Sequence, residues 1–288
     1  MIHVATVHWR DDRWLEPQRR YLERNVESPY RVYADLEGIE EAEGVDVVTS
    51  TVVDAVAPNS HAGKLNALGT LIAREAEPAD VLLFLDGDAF PIAPLDAFLE
   101  QTLARFPLAA IRRDENLGDK QPHPSFCATT VGFWRELGGD WSRGPDWTWT
   151  NDLGWTVEDT GGKLLATLTE KQVDWYALRR TNRRNLHPVL FGVYDDLVYH
   201  HGAGFRQVFD RVDRARAGRI PDLPADLPLE PPDSRAGRLL WKVRAKRWYL
   251  AEKRPIVERE KRLTRRNVEL SERVSEWIRD DESFFLRV

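Results

Sequence analysis

The sequence predicts an α/β protein: a mixed, mostly parallel sheet flanked by helices, with a C-terminal helical appendage. Three observations predict it. Short apolar runs alternate with amphipathic segments through residues 1 to 210. One run, Val81 to Leu85, is apolar at every position, as a strand covered on both faces should be. From Ser234 onward the apolar residues recur only at helical spacing.

Taken in order, Ile2 to Val7 reads as a buried strand and Trp14 to Asn25 as a helix. Tyr30 to Ala34 and Val45 to Val48 read as strands. Ala62 to Glu75 carries Leu65, Leu68, Leu71 and Ile72 on one helical face. After the central run, Leu95 to Phe106 reads as a helix with Pro94 near its start, and Leu108 to Ile111 as a strand. Leu164, Leu165 and Leu168 mark a further helix. Pro221, Pro224, Pro228, Pro231 and Pro232 prevent a regular helix, because proline lacks an N–H and clashes with the preceding turn. The division is therefore a catalytic-type domain over 1–219, an extended connector over 220–233 and basic amphipathic helices over 234–288. In the last part Leu239, Leu240, Val243 and Leu250 mark one helix, and Pro255 interrupts the pattern. Ile256, Leu263, Leu270 and Trp277 then recur every seven residues, with Val274 between the last two.

Composition narrows the function classes. The 288 residues hold 41 basic and 47 acidic side chains, a formal net charge of -6. That value averages an acidic first part and a basic last part, since residues 205–288 carry more basic than acidic side chains. An acidic chain without a recognisable nucleic-acid module argues against nucleic-acid binding. A single cysteine, Cys127, excludes an intramolecular disulfide and a thiolate metal cluster. No run approaches the roughly 20 apolar residues of a membrane span. The first residues enter a strand with no basic leader, so the expectation is a cytoplasmic protein. The excess of arginine over lysine points to a GC-rich, bacterial source.

The chemistry concentrates at the end of the central run. Asp86 and Asp88 follow it at spacing i, i+2, which in extended chain puts both carboxylates on one side. Gly87 between them leaves room for a ligand to approach the backbone. Ligands of open α/β sheets bind at the carboxyl ends of strands. Paired oxygen ligands suit Mg2+ or Mn2+ completed by substrate phosphates. The same three residues also favour a turn, so alone the motif leaves both readings open.

An apolar strand ending in Asp86-Gly87-Asp88 resembles the Asp-x-Asp motif of the GT-A-fold glycosyltransferases, which have a Rossmann-like sheet. The resemblance spans residues 1 to 210. It implies a metal-dependent transfer of sugar from a nucleotide-diphosphate sugar to a glycan or lipid-linked hydroxyl. A UDP-sugar is the favoured donor and a GDP-sugar the alternative. Other segments follow in the family's order. His61-Ala62-Gly63-Lys64-Leu65-Asn66 is similar to the helix start that faces the nucleotide sugar, which implies roles for Lys64 and Asn66. Trp155-Thr156-Val157-Glu158-Asp159 looks like the acceptor-side Glu-Asp motif. It implies Asp159 as the base of an inverting reaction, with Glu158 and Asp152 as alternates. The Gly161-Gly162 that follows departs from the commonest form. Tyr199-His200-His201-Gly202-Ala203-Gly204 is similar to the segment that supplies a histidine metal ligand. Adjacent strand residues face opposite ways, so one of His200 and His201 reaches the metal, and His200 is favoured. Arg206 would meet phosphate oxygens, and Thr6, His8 and Asp35 would line the base and ribose.

Five of the 11 tryptophans fall between 134 and 155. Trp147, Trp149 and Trp155 are expected to meet the acceptor, because aromatic faces suit sugar C–H surfaces. Trp134 and Trp141 are expected to be structural. The basic, aromatic run Arg238 to Leu250 suits contact with an anionic membrane surface at the inner face. The seven-residue stripe after it can pack internally or pair with a second subunit. Two other functions fit parts of the pattern. One is a non-catalytic glycan-binding protein. The other is a haloacid-dehalogenase-type phosphatase, against which Phe90 stands where that family has a small hydroxyl residue.

Overall fold

The structure is a computed structural model that describes residues 1–39, 60–143, 149–150, 156–157, 159–205, 234–248, 250–251 and 254–288. The expected strand Val45 to Val48 and the proline-rich connector lie outside the described residues.

Six strands form the central sheet: β1 (Ile2–Val7), β2 (Tyr30–Asp35), β3 (Val81–Asp86), β5 (Leu108–Ile111), β6 (His123–Thr130) and β9 (Tyr176–Leu178). Their order is β2-β1-β3-β6-β5-β9. β1 runs parallel to β2 and to β3, and β5 runs parallel to β9. β6 alone is antiparallel, to β3 on one side and β5 on the other. The sheet is thus mixed and mostly parallel, as the alternating sequence predicts.

Strand β6 is not evident from the sequence. His123-Pro124-Ser125 opens it without an apolar pattern, and its ladder partners impose the extended form. Helix α4 (Val131–Leu137) follows directly and was equally unmarked. The Thr130 hydroxyl caps it, and Gly138 ends it at φ 66°, a left-handed conformation that glycine adopts without strain.

Alternation along the strands divides the core. On one face Ala5, Val7, Leu82, Phe84 and Cys127 pack against Leu65, Leu68 and Ile72 of α2 (His61–Glu75), against α4, and against α5 (Gly162–Glu170). On the other, Val4, Leu83, Leu85, Phe126 and Ala128 pack against Leu22 of α1 (Leu15–Asn25) and Leu99 of α3 (Asp96–Leu103). The central run, buried on both sides, is where these faces meet.

A smaller sheet, β10-β11-β4, comprises β4 (Ala89–Pro91), β10 (Gly192–Tyr194) and β11 (Val198–His200). Strand β4 leaves the end of β3 after one turn, so the two sheets share the Asp86-Gly87-Asp88 segment. A third two-stranded sheet pairs β7 (Trp149–Thr150) with β8 (Thr156–Val157).

The C-terminal helices are α6 (Arg235–Trp248) and α7 (Arg254–Asp280), with Pro255 in the first turn of the latter, where a missing N–H costs nothing. The last turns of α7 complete a third core. Val274 and Ile278, with Phe284 and Val288 beyond, pack on Trp14, Tyr21, Phe90 and Tyr199. Phe284 meets Tyr199 edge to face at 4.8 Å. Arg20 donates to the carbonyls of Ile278 and Arg279 at the helix end, and Arg24 pairs with Glu282. The appendage is therefore tied to the small sheet at its far end, while Leu239, Leu240 and Val243 of α6 remain exposed.

Phe284 is fully buried between Tyr21, Phe90 and Tyr199. Phe284→Ala is expected to cost about 3–5 kcal/mol in urea unfolding, the usual range for a buried phenylalanine.

Candidate metal and substrate site

Parity along β3 sets the site. Asp86 continues the row of Leu82 and Phe84 toward α2, and His61, the first residue of α2, meets it there. His61 Nε2 lies 2.9 Å from Asp86 Oδ1. The other carboxylate oxygen, Oδ2, lies 3.8 Å from His200 Nε2, and His200 Nε2 lies 3.5 Å from Asp88 Oδ1. Antiparallel pairing of β4 with β11 places Ala89 opposite His200, and the His201 N–H donates to the Asp88 carbonyl at 3.1 Å.

Asp86, Asp88 and His200 each offer one ligand atom, all within 4.8 Å of one another. Two carboxylate oxygens and one imidazole nitrogen are a donor set that Mn2+ accepts. Three protein ligands leave positions for substrate oxygens, so the residues fit the group.

Electrostatics agree. Burial opposes ionising Asp88, but the His200 charge and hydrogen bond, with His201, hold its carboxyl below the usual range. Burial likewise opposes a charged His200, yet Asp88 and Asp86 raise its pKa. His61 is raised against burial by the charge and hydrogen bond of Asp86, with Asp88 and Asp159 contributing.

His201 does not join this group. It is fully buried, with Nδ1 2.9 Å from the Tyr199 hydroxyl and its ring stacked on Phe205 at 5.1 Å. Burial, with His200 and Arg13 nearby, pushes its pKa down to about 3. The opposite facing of neighbouring strand residues separates the two histidines.

The turn is clamped by a residue the sequence did not single out. Gln18 of α1 donates from Nε2 to the carbonyls of Asp86 and Ala89, at 2.9 and 2.8 Å. Its Oε1 lies 3.2 Å from His8 Nε2. The space beside Gly87, expected to admit a ligand, is filled by the chain itself. A Cβ there would lie 2.7 Å from the Val7 carbonyl and 2.8 Å from His8 Nδ1. Glycine lets β1 and the turn touch.

The nucleotide-side expectations land close together. Thr6 and His8 are buried at the end of β1, 3.5 Å apart between Oγ1 and Nε2, and burial lowers the His8 pKa. Lys64 is buried and paired with Asp35 at 2.7 Å and Glu37 at 2.6 Å, so its charge orders the end of β2. Asn66 has turned elsewhere. Its Nδ2 donates to Asp140 Oδ1 at 2.7 Å and its Oδ1 accepts from the Trp141 N–H at 2.8 Å. It holds the turn after α4 and does not face the metal ligands, because α2 points that position toward α4.

Asp159 is partly exposed at the start of the α5 turn, with Oδ1 accepting from the Thr160 N–H at 2.8 Å. Its Oδ2 lies 3.5 Å from Arg113 Nη2. Gly161, at φ 96°, and Gly162 let this turn sit against the Pro122 and Arg143 carbonyls, which any Cβ would overlap. The glycine pair that departed from the family form is what seats Asp159 beside the start of β6.

That start supplies a second group missed by sequence. Arg113 is paired with Asp119 at 2.8 Å, and Asp119 also accepts from Asn116 Nδ2 and from the Gln121 N–H. Burial opposes the Arg113 charge, but Asp119 and Asp159 raise its pKa. The Gln121 amide is buried with neither end partnered among the described residues. His123 Nδ1 lies 4.0 Å from Asp86 Oδ2, and its ring centre is 5.5 Å from that of His200. Burial, then Arg113, His200 and His61, push His123 well below the usual histidine range. Only the fold reveals these residues. The density of charged and amide side chains from Arg112 to His123 was the usable signal in the sequence.

Glu158, Asp152, Trp147, Trp155 and Arg206 lie outside the described residues, as does the side chain of Trp149. Trp134 and Trp141 are buried in the α2-side core, where both rings meet Phe84.

No protein-family model matches the chain, and no curated protein matches it. Among the solved structures that resemble it are three glycosyltransferases. Galactosyltransferase LgtC, in complex with donor and acceptor sugar analogues, is 12% identical with a TM-score of 0.43 over 78% of this chain and 98% of that one. Mannosyltransferase PcManGT from Pyrobaculum calidifontis, in complex with GDP-Man and Mn2+, is 13% identical with a TM-score of 0.42 over 61% and 54%. Glycosyltransferase GlyE of Streptococcus pneumoniae is 17% identical with a TM-score of 0.39 over 60% and 44%. The chain spans about half the length of the latter two. These likenesses are distant, and the reading of the site rests on its own residues.

Asp140 accepts from Lys163 at 2.7 Å, Asn66 at 2.7 Å and the Ser142 N–H at 2.8 Å, and these partners outweigh burial to depress its pKa. A depressed folded-state value stabilises above the unfolded pKa, near 4, and that stability drains away as pH falls toward the folded value. Asp140→Asn is expected to flatten the stability curve below about pH 4, measured by urea midpoints at successive pH values.

Proposed function

We propose that the chain is a metal-dependent glycosyltransferase that moves a sugar from a nucleotide-diphosphate sugar to an acceptor hydroxyl. The observation that carries this reading is the convergence of Asp86, Asp88 and His200 within 4.8 Å at the carboxyl end of the sheet. These three residues hold Mn2+ or Mg2+, which when bound offsets the charge developing on the departing diphosphate. His61 holds one oxygen of Asp86, which leaves the other turned toward Asp88 and His200. Thr6, His8 and Asp35 line the nucleotide side, and Lys64 keeps Asp35 in place through their ion pair. Arg206 meets the phosphates, and UDP is the favoured nucleotide with GDP the alternative.

Asp159 is the base that takes the proton of the acceptor hydroxyl in an inverting transfer, with Glu158 and Asp152 as alternates. Its support is partial exposure and its place on the same end of the sheet, where its charge acts on His61. Trp147, Trp149 and Trp155 bind the acceptor, a glycan or a lipid-linked glycan. For the latter, α6 carries six arginine and lysine residues, no acid, and exposed Leu239, Leu240 and Val243, a chemistry suited to an anionic membrane surface. Among the described residues no helix is long and apolar enough to cross a membrane. The phosphatase alternative loses support from Phe90, which is fully buried between Tyr21 and Tyr199.

Hydrolysis of UDP- and GDP-sugars by the purified chain with Mn2+ tests the reading. Asp88→Ala is expected to reduce it at least about 100-fold and to abolish Mn2+-dependent nucleotide binding by calorimetry. Asp159→Asn is expected to leave donor binding intact while lowering transfer to acceptor at least about 100-fold. A wild-type chain that binds neither UDP nor GDP with any divalent metal overturns the proposal.

A further inference from the structure

The strand that sequence reading missed brings a third histidine to the metal ligands, and its hydrogen bonds fix what it can do. Ser125 turns two groups on His123 Nδ1: its backbone N–H at 3.2 Å and its hydroxyl at 2.7 Å. A backbone N–H can only donate, so Nδ1 is an acceptor and the ring proton sits on Nε2. With its Nδ1 lone pair engaged, His123 is no metal ligand through that atom, in keeping with a ligand group of Asp86, Asp88 and His200 without it. Among the described residues Nε2–H has no acceptor, while the side chain keeps 12% of its surface open.

Position decides what that donor meets. His123 stands beside His200, and the charge of Arg113, the partner of Asp159, acts on its ring. It is thus in reach of both the candidate metal ligands and the arginine that pairs with the carboxylate proposed to face the acceptor. Of the nucleotide-side residues, His8 packs against Gly87 of the same turn, with Thr6 3.5 Å from it. The neutral Nε2–H of a ring whose Nδ1 lies 4.0 Å from Asp86 Oδ2 suits a neutral oxygen, whereas diphosphate oxygens are met by the cation and by arginine.

We propose that His123 is a specificity-determining residue whose Nε2–H donates to a hydroxyl of the transferred sugar. Ser125 is the positioning residue that fixes the tautomer. The inference rests on the glycosyltransferase reading of the same site.

The test compares the affinity of the intact chain for a nucleotide with that for the matching sugar nucleotide. UDP against UDP-galactose and GDP against GDP-mannose are titrated by calorimetry in saturating Mn2+. Removing one hydrogen bond from a bound hydroxyl is worth about five- to tenfold in affinity. His123→Ala and His123→Asn are expected to lose about that factor for the sugar nucleotide and nothing for the nucleotide alone. His123→Gln, whose amide N–H reaches the Nε2 position, is expected to stay within about twofold of wild type for both. If His123→Ala does not fold, the Asn and Gln pair decides alone. Equal affinities in wild type and variants overturn the proposal, and so does an equal loss for nucleotide and sugar nucleotide. A wild-type chain that binds no nucleotide at all defeats the transferase reading, and that outcome is distinct from a wild type that binds and variants that behave alike.

Discussion

Two carboxylates within 4.8 Å of each other at the end of a buried strand are the constraint on which the rest of the site depends. At an effective dielectric of about 20 such a pair repels by on the order of 3 kcal/mol. Protein groups offset it: His61 bonds one oxygen of Asp86, and His200 sits between Asp86 and Asp88. The raised pKa values of His61 and His200 are the other side of the lowered value of Asp88. A cation in the same place would stabilise the pair more strongly than imidazolium does, and would do so only when present. Asp86, Asp88 and His200 are thus held together by protein groups alone, an arrangement that would lower the ordering cost of binding a cation.

The backbone that holds them together is equally over-determined. The segment Asp86-Gly87-Asp88 ends one sheet and begins another, and each contributes to its geometry. Gln18 closes the turn from α1, and His8 fills the place where a Gly87 side chain would be. The small sheet is in turn backed by Tyr21, Phe284 and the end of α7. The C-terminal helix begins 54 residues after His200 (254 against 200) but its end lies one aromatic layer away from the strand of His200. Loss of that layer would loosen β11 and β4 together, and so His200 against Asp88.

The fold and the pairing of Asp86 with Asp88 at the sheet end were legible for a common reason. A continuous apolar run from Val81 to Leu85 announces a strand buried on both faces, and the polar residues after it must lie at the sheet end. The spacing of Asp86 and Asp88 then follows from strand geometry. Strand β6 was not legible, because its extended form comes from two ladder neighbours and not from its own pattern. His123, Arg113 and Asp119 were lost with it. Lys64 and Asn66 show a different limit. Their place on α2 was readable, but whether each met ligand or protein depended on Asp35, Glu37 and Asp140, which only tertiary contact brings near.

The same comparison bears on the Gly161-Gly162 pair, which in the sequence looked like a departure that weakened the case for Asp159. In the fold both glycines are required by contact. One adopts a left-handed φ against the Pro122 carbonyl and the other abuts the Arg143 carbonyl. A polar helix start of the commoner form would not fit between those two carbonyls. The absence of side chains at these two positions lets the turn that carries Asp159 close on the start of β6, where Arg113, held by Asp119, lies 3.5 Å from its carboxylate. The glycine pair and the placement of Asp159 are, on this geometry, one local arrangement.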